Sequence, residues 1–270
     1  VVRKLIFEGR NKEAQRLIDA NFLTQQHGMS YLTLGSLYLE FPEHQNASGF
    51  YRDLNLENAT TTTRYQVDDV TYTRTTFASF TDNVIIMHIK ASKANALNFT
   101  IAYNFPLVHK VNVQNDKLTV TCQGKEQEGL KAALRAECQI QVKTNGTLRP
   151  AGNTLQINEG TEATLYISAA TNYVNYQDVS ADESRRTSEY LKRATQIPYE
   201  KALKNHIAYY KKQFDRVRLT LPAGKASQLE TPKRIENFGN GEDMAMAALL
   251  FHYGRYLLIS SSRENSPLPA

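Results

Sequence analysis

The sequence predicts a mainly β protein with helices after it: an antiparallel sandwich, then a helical segment, then one strongly apolar helix. Short alternating runs rich in Thr, Tyr and Val recur between Tyr31 and Ala170, with no helical pattern among them. Such spacing favours an antiparallel sandwich over a parallel α/β sheet. After Asp178 the apolar residues change to a helical period.

The first 22 residues predict a surface helix or a helical pair. Leu5, Ala14 and Ile18 stand among Arg, Lys, Glu and Gln, and Gly9 is a plausible break.

The β region should hold about eight to twelve strands. The alternating ranges are 31–41, 61–79, 83–91, 97–105, 117–123, 134–144 and 155–170. The pair within 61–79 is expected to turn near Asp68 and Asp69, and the glycine-bounded stretch 124–129 to be a surface loop.

Two helices should follow the sandwich, 180–196 and one starting at Tyr199 after Pro198. A short strand over 217–221 and a loop over 222–240 come next. The patterns therefore predict a β-sandwich domain 1–179 with an N-terminal helical segment 1–22, a helical linker 180–222, and 223–270 as the start of a further helical domain.

The last predicted helix, 242–262, is apolar nearly all round. We expect Asn240 as its N-cap, with Glu242 and Asp243 in its first turn. A helix of this kind needs other helices around it, and the sequence supplies none that could enclose it. We therefore expect further residues after this chain in the complete protein. We also expect residues before it, because the sequence starts without Met and inside a predicted helix.

Composition excludes several classes of protein. A formal net charge of +5, from 32 basic and 27 acidic residues spread along the chain, shows no basic stripe for nucleic acid. The longest apolar run, 244–260, is interrupted by His252 and Arg255, so we predict a buried helix and not a membrane span.

Neither metal nor cofactor is expected. The six histidines never stand at i, i+3 or i, i+4 spacing, and two cysteines alone do not make a structural zinc site. Cys122 and Cys138 are predicted on neighbouring strands, and whether they form a disulfide stays open.

Several segments carry a resemblance to a known family. They are 251–263 (FHYGRYLLISSSR) with 268–270, 3–9 with 13–15, 35–39, 51–56 with Ala59, 72–75 with 77–79, and 206–221. In this order they resemble glycoside hydrolase family 95, the inverting α-L-fucosidases.

The resemblance implies a bacterial, periplasmic or extracellular enzyme with a β-super-sandwich, a helical linker, an (α/α)6 catalytic barrel and a C-terminal β domain. Of these, the chain would hold the first two and the first helix of the barrel. A glutamic acid would protonate the leaving oxygen, while asparagines held by an aspartate would activate the attacking water. No matching position lies within this chain, so we name no catalytic residue and expect the chain alone to be inactive.

Two arginines of the last predicted helix and its C-terminal end have both a functional and a structural interpretation. Arg263 is a candidate substrate contact, although capping the C-terminus of the last helix is the simpler role. Arg255 is predicted to be a buried ion-pair partner.

Five carboxylates and three tyrosines are further candidates, the carboxylates for catalysis and the tyrosines for stacking on sugars. The carboxylates, better explained as turn or surface groups, are Asp53, Asp68, Asp69, Glu137 and Glu40. Tyr173, Tyr176 and Tyr190 could stack on sugars, but we favour core or interdomain packing.

The leading hypothesis is thus a glycosidase for α-L-fucosides or α-L-galactosides whose partners are a carbohydrate substrate and the absent catalytic barrel. The alternatives are a carbohydrate-binding sandwich module without catalysis, or a structural domain that docks a helical partner. Only the terminal apolar helix argues against the first alternative.

Overall fold

The computed structural model describes residues 1–22, 33–127, 129–241 and 243–262. The predicted helical pair at the start is confirmed as α1 (Val2–Phe7) and α2 (Asn11–Asn21), and Gly9 between them has a φ of +74°. Such a value favours glycine because it has no Cβ.

Twelve strands follow in the described residues. They are β1 (Ser36–Glu40), β2 (Ser48–Asn55), β3 (Thr60–Val67), β4 (Val70–Ala78), β5 (Ile85–Ala91), β6 (Leu97–Asn104), β7 (His109–Gln114), β8 (Lys117–Gln123), β9 (Arg135–Thr144), β10 (Thr147–Ala151), β11 (Thr154–Gly160) and β12 (Glu162–Thr171). The turn predicted at Asp68 and Asp69 joins β3 to β4, and Asp68 takes a φ of +50° there.

The strands form two antiparallel sheets that face each other. The small sheet has the order β1-β6-β11-β10, and the large sheet has the order β2-β3-β4-β5-β12-β9-β8-β7. Alternate side chains of both sheets fill the space between them, among them Leu97, Ile101, Leu118, Ile140 and Leu165. The predicted antiparallel sandwich is confirmed, and this period-two burial is what specifies its register.

Helices cover the other face of the large sheet. They are α3 (Glu183–Ala194) and α4 (Tyr199–Phe214). Leu191 and Ala202 pack there against Phe77, Ile86 and Tyr166, which point away from the small sheet. The large sheet is therefore buried on both faces, unlike a simple two-layer sandwich.

The region after α4 differs from the prediction in three ways. Residues 217–221 form no strand, and 222–240 is not all loop, since it contains the helix α5 (Thr231–Asn237). The last helix, α6, runs Met244–Ser261, and its N-cap is Asp243 and not Asn240. Pro232 within the first turn of α5 is the signal for that helix, because proline is favoured at the first helical positions.

In the described parts of the chain, every helix is too short or too polar to cross a bilayer.

Candidate functional site

The terminal helix α6 is the feature of this chain that most needs a functional explanation. It rests on α4 through Tyr256 and Ile259, which pack against Tyr210 and Phe214. Along its length only Ala248 is fully buried. Its other side carries exposed apolar side chains, namely Met244, Leu250, Phe251, Tyr253, Leu257 and Leu258. The prediction that α6 is a buried core helix is thus not met by the described residues, which leave most of it uncovered.

The beginning of α6 is fixed by an ion pair with α5. Arg234 donates to both carboxylate oxygens of Asp243, with N···O distances of 2.7 and 3.1 Å, and both side chains are buried. The same carboxylate accepts from the backbone N–H of Met246 at 3.1 Å, as an N-cap does. The hydrogen bonds from Arg234 hold the pKa of the Asp243 carboxyl below its ordinary value. The loop before α6 is therefore held by charge-assisted bonds.

Arg255 joins the middle of α6 to the end of α4. Its guanidinium donates to the carbonyl oxygens of Phe214 and Val217, both at 2.8 Å, and of Gln213 at 3.3 Å. It also lies over the Phe214 ring, 4.8 Å from the centroid. Within the described residues Arg255 has no carboxylate partner, so the predicted ion pair is not found there; the orphan carbonyls at the end of a helix satisfy the cation instead.

His252 holds the residues after α4. Its Nε2 lies 2.9 Å from the carbonyl oxygen of Leu219 and 3.2 Å from the Leu219 nitrogen. These contacts, with those of Arg255, take the place of strand pairing for 217–221. The segment is bound by side chains of α6 and not by a neighbouring strand.

Two buried side chains of α4 tie the helix to the sandwich. The Tyr210 hydroxyl donates to the carbonyl oxygen of Leu56 at 2.7 Å. His206 Nε2 lies 3.1 and 3.2 Å from the carbonyl oxygens of Asn58 and Ala59. Burial raises the pKa of Tyr210 above its ordinary value, so the phenol remains a donor. α6 is thereby positioned on the sandwich through α4.

A groove of about 490 Å³ lies where these elements meet. Leu54 and Leu56 of the sandwich form one wall, and Ala248, Leu249 and His252 of α6 form another. The charged side chains at its rim are Glu57, Lys211, Asp215 and Arg218. Their two opposite signs do not favour an anionic or a cationic ligand.

The carboxylates considered from the sequence are dispersed over the sandwich. Asp68 and Asp69 lie in the β3–β4 turn, where Asp69 pairs with Lys93. Asp53 is on the edge strand β2, and Glu40 is exposed on β1. The structure does not bring them together, and glycoside hydrolysis needs two carboxylates across one sugar.

Glu137 differs from the other four carboxylates because it is buried. It is 5% exposed and accepts from Gln139 Nε2 at 2.6 Å and from Thr187 Oγ1 at 3.0 Å. Because Thr187 belongs to α3, the carboxylate joins that helix to the sheet. Sequence reasoning missed this role, since only the fold places α3 against β9.

The remaining candidates have mixed outcomes. Arg263 lies outside the described residues. Tyr190 packs against the cluster between the large sheet and helices α3 and α4, but Tyr173 and Tyr176 are exposed. Core packing is therefore wrong for these two, and interdomain packing stays a prediction. Burial rather than pairing explains the cysteines: Cys122 and Cys138 are both free, and desolvation raises both thiol pKa values, that of Cys138 to about 12.

Comparison with known proteins identifies the family. Residues 1–176 match the family model described as "Glycosyl hydrolase family 65, N-terminal domain". The chain belongs to this family. Residues 198–270 match a second model, "Glycosyl hydrolase family 95 catalytic domain", which confirms the resemblance found in the sequence.

Two curated relatives extend the match along the chain. "Alpha-L-fucosidase 2" from Arabidopsis thaliana is 28% identical and aligns with 98% of this chain but only 35% of its own length. "Probable alpha-fucosidase A" from Aspergillus niger is 25% identical, with 89% and 32% covered. This glycosyl hydrolase chain thus spans about a third of the length of these relatives. They are plant and fungal proteins, so they lend no support to the bacterial source that we expected.

A solved structure confirms the fold class. A bacterial glucoamylase complexed with acarbose matches 87% of this chain and 36% of its own, with 11% identity and a TM-score of 0.50. At that identity the likeness bears on the fold alone.

Proposed function

We propose that this chain is the N-terminal part of an enzyme that hydrolyses terminal α-L-fucosides with inversion at the anomeric carbon. The observation that carries the proposal is the alignment of almost the whole chain with a protein named as an α-L-fucosidase. Closely related α-L-galactosides are included, because they differ from fucosides by one hydroxyl group, and hydroxyl recognition depends on a few polar contacts in the pocket.

In this proposal the chain positions the catalytic domain and does not perform the reaction. The five carboxylates considered from the sequence are dispersed, whereas inverting hydrolysis needs an acid and a base about 6.5–9.5 Å apart. The catalytic groups would lie in the two thirds of the relatives' length that this chain does not span. The uncovered apolar side of α6 supports the same view, since α6 would be the first helix of an (α/α)6 barrel.

An assay of two proteins tests the proposal. The complete protein and residues 1–270 are each incubated with an aryl α-L-fucoside, and with the aryl α-L-galactoside as the specificity control. We expect release of the aryl alcohol by the complete protein alone. Turnover by residues 1–270 would contradict our placement of the catalytic groups, and failure of the complete protein on both substrates would contradict the proposed activity.

The stereochemistry is tested separately. Proton NMR during the first minutes of turnover, before mutarotation, should show the β anomer of the released sugar. Initial appearance of the α anomer would identify a retaining enzyme.

A further inference from the structure

We infer that the loop between β12 and α3, residues 172–182, is a docking surface for the part of the catalytic domain that follows α6. The inference rests on the proposed function, because it assumes that α6 begins a helical domain. It adds which part of the sandwich this domain covers.

The strand order places the relevant connections side by side at one end of the large sheet. The register pairs Asn55 with Thr60, Ala78 with Ile85, and Thr171 with Ala136. The connections at this end are therefore, in order, 56–59, 79–84, 172–182, 124–134 and the entry to β7 at 105–108.

Among the described residues, helices α4 and α6 share an apolar cluster with the first two of these connections. Leu56 and Ala59 from the first, and Phe80 from the second, share one cluster with Tyr256 and Ile259 of α6. Ile259 lies near the C-terminal end of α6. The next connection in the row beyond Phe80 is 172–182.

The remaining connections present large apolar side chains to solvent. These side chains are Tyr173, Val174, Tyr176, Leu130, Leu134 and Val108. Tyr176 is the most exposed of them, at 86%. Large exposed apolar side chains grouped at one end of a sheet are typical of an interaction surface.

The 172–182 loop is held in one conformation by buried bonds. Asn172 is fully buried; its Oδ1 accepts from the Arg135 N–H at 2.8 Å, and its Nδ2 donates to the carbonyl oxygens of Ala133 and Val179. Arg186 of α3 donates to the carbonyl oxygen of Tyr173 at 2.8 Å. The aromatic side chains therefore stand on a rigid base, and binding them costs little conformational entropy.

The position of α6 favours a domain of the same polypeptide as the occupant. The exposed apolar residues of α6 and of this loop lie at the same end of the sheet, so one helical layer packed on α6 would reach both. A tyrosine also suits a boundary where one part of a side chain is buried and its hydroxyl stays solvated. A sugar bound by Tyr173 and Tyr176 is the competing occupant.

Hydroxyl-radical footprinting of the complete protein tests the inference. The oxidation rate of Tyr176 is compared with that of Tyr51, which is 53% exposed on β2 in this chain, and with tyrosine amide added to the same sample. We expect Tyr176 to react several-fold more slowly than Tyr51. Oxidation of Tyr176 as fast as Tyr51 would overturn the inference.

A sugar-dependent result is the other outcome. If Tyr176 is oxidised rapidly alone but is protected when a fucosylated oligosaccharide is added, the loop binds glycan and the docking inference is wrong. Activity on the aryl α-L-fucoside in the same sample separates the two proposals. An active enzyme with a freely reactive Tyr176 refutes the docking surface and leaves the proposed function standing.

A charge placed in the loop provides a second measurement. Tyr176→Asp in the complete protein should lower the thermal midpoint and speed proteolysis between the domains, while Tyr51→Asp should change neither. Equal effects of the two substitutions would also contradict the inference.

Discussion

Replacing Arg255 with leucine should loosen α6 from α4. The guanidinium makes two bonds of 2.8 Å and one of 3.3 Å to carbonyl oxygens. A hydrogen bond from a charged donor contributes about 1.5–3 kcal/mol, so the two short bonds give about 3–6 kcal/mol. Arg255 is only partly buried, so water can take over some of these hydrogen bonds in the variant. We therefore expect the free energy of opening of α6 to fall by about 2–3 kcal/mol.

Native-state hydrogen exchange of the α6 amides measures this loss directly, because exchange reports local opening. A loss of about 2–3 kcal/mol corresponds to exchange roughly 30- to 150-fold faster. Arg218→Leu is the matched control, since the Arg218 side chain is 79% exposed and its ion pair with Glu57 is 3.8 Å long. We expect the control to change exchange less than threefold, in line with about 0–1 kcal/mol for surface pairs.

The pH dependence of the exchange difference distinguishes carbonyl from carboxylate partners of Arg255. Main-chain carbonyls do not titrate, whereas a carboxylate partner would be protonated near pH 4. The difference between wild type and Arg255→Leu should therefore be the same at pH 6 and pH 3. A difference that disappears at about pH 3 would show that Arg255 acts through an ion pair, and an unchanged exchange rate at pH 6 would refute the capping role altogether.

Two other substitutions address the same assembly. Asp243→Asn should increase opening of α6 at neutral pH. The folded pKa of Asp243 is lowered from 3.8, so the stability that the carboxylate contributes is present above pH 3.8 and is lost as the pH falls through the folded pKa. Wild type and variant should therefore converge in acid, and a difference that stays constant with pH would contradict the pairing with Arg234. Tyr210→Phe should cost about 1–2 kcal/mol in urea unfolding by leaving the Leu56 carbonyl unpaired, with Tyr253→Phe, an exposed site, as control. Since burial raises the Tyr210 pKa above 10.0, the stability that Tyr210 contributes should also decrease above about pH 10. If wild type and Tyr210→Phe lose stability equally above pH 10, this expectation is wrong.

The sandwich could be predicted because its signal is local. Alternation in the 61–79 and 134–144 ranges reflects burial on one face of a strand, and those strands were predicted within a few residues. β2, β7 and β10 are three of the four edge strands, and they were missed. None of these three strands contains a buried residue, so burial imposes little apolar patterning on their sequences.

The errors after α4 have a different cause. The 217–221 segment has the composition of a strand, but its backbone bonds to His252 and Arg255, which are more than thirty residues away in sequence. The N-cap was misplaced at Asn240 because Asn and Asp are equally good caps. The choice of Asp243 depends on Arg234 from α5, a helix that was itself predicted as loop. Contacts between distant residues decided each case.

The bonds and the apolar surface of α6 have separate roles. Asp243, His252 and Arg255 make directional contacts to the rest of the chain, and these contacts fix where the helix lies and how it is rotated. They leave the apolar side facing outward, although burying one Leu or Phe side chain contributes about 1.5–3 kcal/mol. Polar bonds set the position of α6, and its exposed apolar side chains are still available for packing. Such a helix is suited to receive a second layer of helices without moving. The polar contacts would therefore set the geometry of the domain boundary, and the layer packed on α6 would supply most of its stability.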